Sequence, residues 1–88
     1  MAEIPEIADD LKADQVLDGG NTGCGELLME MKLKMRRVPQ GGILEVITLD
    51  PGAPEDLPAW CRLTGNQMLG KRILDQRRTA YFIRKEEI

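Results

Sequence analysis

The chain contains no histidine. That removes a histidine general base, a Ser-His-Asp triad and the metal sets that rely on imidazole. Its two cysteines, Cys24 and Cys61, are far apart in sequence. They make neither a disulfide framework nor, with no histidine to complete a ligand set, a zinc site. Only three residues are aromatic, Trp60, Tyr81 and Phe82. A core built from this chain must therefore be mostly Leu, Ile, Val and Met. Tyr81 and Phe82 are adjacent, so on a strand they point to opposite faces and make a poor stacking platform for RNA. No apolar run approaches the roughly 18 residues of a membrane span. The first residues, Met-Ala-Glu-Ile-Pro-Glu, are acidic and lack the basic start and apolar centre of a signal peptide. A cytoplasmic location, with thiols kept reduced, is expected.

What is present fits one small soluble domain. The 88 residues are 42% hydrophobic and 31% charged, which is enough for a limited core. The net charge of −3 conceals an asymmetry. Residues 1–31 hold eight acids and one base, whereas residues 32–88 hold eleven bases and seven acids. The acidic front part argues against generic nucleic-acid binding. A basic face on the remainder suits an acidic protein partner.

Residues 1–14 form either a tail or a short helix, since Ile4, Ile7, Ala8 and Leu11 fall at helical spacing. Residues 15–88 form the domain. Gln15–Asp18 reads as a strand stopped by Gly19-Gly20. Gly25 to about Arg37 reads as a helix with the apolar stripe Leu27, Leu28, Met31, Met35 and Val38. Its acids come early and its bases late, as the helix dipole prefers. Ile43–Leu49 is β-branched and nearly all apolar, the pattern of a central strand. Glu55 to about Leu63 predicts a second helix ended by Gly65-Asn66, with Pro58 in its first turns. Leu69–Asp75 and Thr79–Arg84 read as a hairpin around Gln76-Arg77-Arg78. The order is β-α-β-α-β-β, which predicts an α+β, two-layer α/β sandwich with two helices on one face of a four-stranded mixed sheet. Leu28, Met31, Met35, Leu57 and Trp60 should pack against Val46 and Ile83.

Cys24 is the residue in this pattern best placed for chemistry. It stands where a helix begins, after the glycine-rich approach Gly19–Gly23. Unpaired N–H groups and the positive helix end favour its thiolate there. The effect is on the order of 0.3–1 kcal/mol, less than the roughly 1.4 kcal/mol of one pKa unit, and Glu26 opposes it. Such a thiol suits a carrier that receives a group better than an enzyme attacking an inert bond. The alternative is a small apolar residue, as free cysteine usually is. That role fits Cys61, beside Trp60 on the apolar side of the second helix. The glycine spacing around Cys24 is not G-x-G-x-x-G, and no Gly-Lys-Ser/Thr follows, so a phosphate loop is not indicated. No metal or cofactor site is called. Arg77-Arg78 and Arg84-Lys85 read as solvated hairpin surface.

Several stretches together resemble the TusA/SirA-like sulfur-carrier (sulfurtransferase) family over Val16 to Lys85. They are Leu17-Asp18, Cys24 at the helix start, Gly42-Ile43-Leu44-Glu45-Val46, Asp50-Pro51-Gly52-Ala53, Asp56-Leu57-Pro58-Ala59-Trp60-Cys61 with Thr64-Gly65, and Phe82-Ile83-Arg84-Lys85. The resemblance implies a sulfur relay in which Cys24 is the catalytic residue. It would accept sulfur as a cysteine persulfide from a protein donor, such as a cysteine desulfurase, and pass it to a protein acceptor. Gly23, Gly25 and Glu26 would then meet the partner, with Lys32, Arg36 and Arg37 helping to dock it. The family's Cys-Pro-x-Pro is replaced here by Cys24-Gly25-Glu26-Leu27, so a turn that proline would hold is freer. The alternative function is a non-catalytic interaction or regulatory module of the same fold.

Overall fold

The computed structural model describes residues 4–7, 11–20 and 22–86, with the backbone alone at Cys24. Six elements follow one another: β1 Gln15–Gly20, α1 Cys24–Met35, β2 Ile43–Thr48, α2 Ala53–Thr64, β3 Gln67–Ile73 and β4 Thr79–Arg84. The strands form one mixed sheet in the order β1-β2-β4-β3. β1 runs parallel to β2, and β4 is antiparallel to both β2 and β3. The fold is the expected two-layer α+β sandwich with both helices on one face.

Alternation along the strands explains the layers. Leu44 and Val46 of β2 point the same way as their partners Ile83 and Tyr81 of β4. They make one core with Leu27, Met31 and Met35 of α1 and Leu57, Trp60 and Cys61 of α2. Leu28 is only half-buried and packs at its margin. α2 ends at Gly65, whose φ of 83° suits glycine, and the Gly65 and Asn66 amides both donate to the Cys61 carbonyl. α2 starts at Ala53, two residues before the expected Glu55. Proline at the second helical position is pre-set for helix, so Ala53-Pro54 extends the element rather than a loop. Pro58 consequently lies inside the helix, and its position in the chain forgoes the bond to the Pro54 carbonyl.

The opposite face of the sheet is not bare. Ala80 and Phe82 have the other parity, yet both are fully buried. The guanidinium of Arg72 lies 4.9 Å from the Phe82 ring centre. The same side chain donates to the Leu11 carbonyl at 3.3 Å. Residues 5–7 run beside β3: Lys71 N–H donates to the Pro5 carbonyl and Ile7 N–H to the Lys71 carbonyl. Ile4 and Ile7 therefore belong to an extended segment rather than a helical turn. Ala8 lies outside the described residues. The segment protects the outer edge of β3, where Glu6 bridges Lys71 in parallel.

Candidate functional site

Parallel pairing of β1 and β2 brings their C-terminal ends together. Gly20 lies opposite Thr48 after a bulge at Asp18–Gly20. Each strand then turns into a helix, so both helices begin on the same edge of the sheet. Gly20 has φ of 49°, a region open to glycine, and its carbonyl accepts the Leu49 N–H at 3.1 Å. Thr22 N–H donates back to Gly19 at 2.8 Å. The approach loop is thus pinned to the end of β2 rather than left loose. Gly19 is needed for a different reason. A Cβ there would meet Leu27 Cδ1 at 2.6 Å and the Ile47 carbonyl at 3.2 Å, so any larger residue makes the buried Leu27 side chain shift.

Gly23 is the N-cap of α1, and Cys24 is its first residue. The Gly23 carbonyl accepts the first helical bond from Leu27 N–H at 2.8 Å. Among the described residues, no side chain caps the amides of this turn. Amides at a helix start suit an anion or a thiolate. Gly25 and Glu26 follow, both exposed. An added Cβ at Gly23 or Gly25 would meet nothing within 4 Å, so this rim is open. The side chain of Cys24 lies outside the described residues.

A pocket of about 170 Å³ opens beside the N-cap, lined by Thr22, Gly23, Leu49, Asp50 and Pro51. Three of its five lining residues, Leu49, Asp50 and Pro51, come from the β2–α2 loop. Two successive βα units with parallel strands place both of their loops at one end of the sheet. Asp50 is ordered by its own backbone. Its Oδ1 accepts Gly52 N–H at 3.0 Å, and its amide donates to Thr48 Oγ1 at 3.0 Å. Asp50 Oδ2 is buried and, among the described residues, has no hydrogen-bond partner. Burial first, and the Asp50 charge second, raise the Tyr81 hydroxyl above its ordinary pKa.

The remaining candidates are dispersed. Lys32 is exposed on the last turns of α1, and Arg36 and Arg37 are exposed at its C-cap and in the turn after it. At about 1.5 Å per residue, Arg36 lies roughly 18 Å along the axis from Cys24. The structure therefore groups Gly23, Cys24, Gly25 and Glu26, and sets the three bases apart from them. Cys61 is 3% exposed, and burial pushes its thiol up to about 12 against the weaker pull of Arg62. It is a core thiol, as its place beside Trp60 suggested. Among the described residues no three potential ligands gather to hold a metal ion, and no helix is long and apolar enough to cross a membrane.

These features define a small two-layer α/β protein that opens a helix with a cysteine, at an edge where two βα loops meet. The chain belongs to the TusA family: the family described as "Sulfurtransferase TusA" matches residues 15–85. It is 32% identical over 83 residues to the sulfur carrier protein TusA of Pseudomonas savastanoi pv. phaseolicola, covering 94% of this chain and 98% of that protein. It is 34% identical over 77 residues to the sulfur carrier protein TusA of Pseudomonas putida strain GB-1, covering 88% and 95% of the two chains. The sulfur carrier protein TusA of Pseudomonas entomophila is 35% identical over 78 residues, with the same coverage.

Proposed function

We propose that this protein is a sulfur carrier that works through Cys24 in a reducing cytoplasm. The observation that carries the reading is the start of α1, where a cysteine opens the helix beside the pocket of Thr22, Gly23 and Asp50. The thiolate of Cys24 attacks the outer sulfur of a donor protein's persulfide. A new S–S bond forms at Cys24, the donor's S–S bond breaks, and the donor leaves as a thiolate. An acceptor thiolate then attacks the outer sulfur of the Cys24 persulfide, and Cys24 departs as thiolate. No net oxidant is consumed. The positive end of the helix favours the anionic forms that appear at each step. Gly23, Gly25 and Glu26 form the rim that meets the partner, and Lys32, Arg36 and Arg37 provide a second, remote contact. Donor and acceptor are proteins, a cysteine desulfurase being one fitting donor.

Intact mass tests this directly. After incubation with a cysteine desulfurase and cysteine, the protein should gain about 32 Da, one sulfur, and lose it with dithiothreitol. Cys61→Ser should still gain the mass. Cys24→Ser should stay folded and gain nothing. Loading that survives Cys24→Ser would move the chemistry elsewhere. Gly25→Pro, which stiffens the first turn, should speed loading by a donor adapted to the proline-containing motif.

A further inference from the structure

The sheet has two edges, and the protein treats them differently. Residues 5–7 cover β3. Among the described residues, nothing pairs with the outer edge of β1. That edge faces a groove of about 300 Å³ between β1 and α1, lined by Leu17, Glu30, Leu33, Lys34 and Arg37. Glu30, Leu33 and Lys34 fall at i, i+3 and i+4 of α1 and so face the strand together, and Arg37, in the turn that follows the helix, continues their line. Leu33 is 53% exposed, and Val16 on β1 is 47% exposed. Among the described residues, neither Lys34 nor Arg37 has an ion pair.

We propose that an extended segment of the partner protein adds to β1 as a fifth strand, its acidic residues lying against Lys34 and Arg37. The backbone groups of β1 that face outward supply the pairing, and Leu17 and Leu33 supply apolar contact. Charge sets the direction. Glu26 and Glu30 lie toward Cys24, and Lys34 and Arg37 lie toward the Gln15 end, so the bound segment is acidic only at the end remote from Cys24. Lys34 is ten residues beyond Cys24, roughly 15 Å along the helix. At about 3.3 Å per residue in a strand, the partner's acids stand about five positions from its sulfur-bearing cysteine. The bulge at Asp18–Gly20 limits pairing to the start of β1. The contact is therefore small and transient, as a relay requires. A second copy of this chain meets the same charges only when antiparallel, which puts the two Cys24 positions at opposite ends and permits no sulfur exchange.

The proposal rests on the carrier reading only for the location of the partner's sulfur, and binding can be measured without sulfur. The probe is a fluorescein-labelled ten-residue peptide of alternating Val and Thr, with serine at the sulfur position and two aspartates about five residues away. It should bind, and Lys34→Glu/Arg37→Glu should weaken it about tenfold. Lysine in place of the aspartates should abolish binding to the native protein and restore it with the double variant. Methylation of alternate peptide amides should remove binding, and exchange of the outward-facing amide of the Val16–Leu17 pair should slow only with the unmethylated peptide. Peptide binding that ignores methylation, or no binding while persulfide loading proceeds, would overturn strand addition and leave the carrier reading standing. So would dimerisation through β1 seen by sedimentation and lost with Lys34→Glu/Arg37→Glu.

Discussion

Of three glycines near the site, two have different reasons to be glycine and the third has neither. Gly20 needs its positive φ. Gly19 needs the space, because any Cβ would push into the fully buried Leu27 and the Ile47 carbonyl. Gly25 needs neither. Gly19→Ala should therefore cost about 1–3 kcal/mol as an overpacking change, read from a urea midpoint at constant slope. Gly25→Ala should be neutral or stabilise by about 0.4–1 kcal/mol by restricting the unfolded chain. Equal effects at the two positions would mean that α1 does not approach β1 as closely as described. The two cysteines divide in the same way. Cys61, buried and held protonated to about pH 12, should resist thiol probes until the protein is denatured. Fast native labelling of Cys61 would contradict its place in the core.

The helix and strand pattern was legible at the level of elements because the periodicities are clean. β4 has the bounds the alternation indicated, Thr79–Arg84, and β2 misses by one residue at its end. The errors fall where a local rule met a long-range partner. β1 continues through Gly19-Gly20 because Gly20 pairs with Thr48, although two glycines in sequence read as a stop. β3 begins at Gln67 because Gln67 pairs with Arg84. At the N-terminus, Ile4 and Ile7 mimic helical spacing, but the open edge of β3 offers backbone pairing that a short isolated helix cannot match. This attachment has its own test. A Cβ at Gly70 would strike the Ile7 side chain and the Pro5 carbonyl. Gly70→Ala should release residues 5–7 and speed exchange of the Ile7 and Lys71 amides, while near-UV signals from Trp60 stay native. Trp60 is 8% exposed in the core against α1 and the sheet. Trp60→Ala should cost about 3–5 kcal/mol, enough to unfold a domain this small. A loss below about 1 kcal/mol would place α2 in another rotation.

Taken whole, the molecule sorts its charges by edge, and this too was only half legible. The acid-first, base-last order along the chain was plain. That it becomes a spatial polarity follows from topology: both helices start at the edge of Cys24, where Glu26, Glu55 and Asp56 lie, and end near Lys34 and Arg62. The same single core fixes how stability responds to pH. With no histidine, nothing of that type titrates between about pH 6 and 7.5, so a plateau is expected there. On the acid side, Asp75 is held down to about 2 by the Arg77 and Arg78 amides and the Arg78 guanidinium. Its unfolded form takes up a proton first, so its contribution is complete above pH about 4 and is lost as pH falls toward 2. On the alkaline side, Cys61 and Tyr81 are both raised by burial. Between the ordinary thiol value and about 12, the unfolded chain has released the Cys61 proton and the native chain has not. The unfolded state then binds fewer protons, and stability must decline with rising pH. Urea midpoints should therefore hold level near neutrality and fall from about pH 9 upward. In Cys61→Ala, which lowers stability overall by opening a cavity, the midpoint should begin its alkaline fall later, because only Tyr81 remains to drive it. If Cys61→Ala and the native protein lose stability in parallel from pH 9, the Cys61 thiol is not the buried, proton-retaining group its surroundings make it.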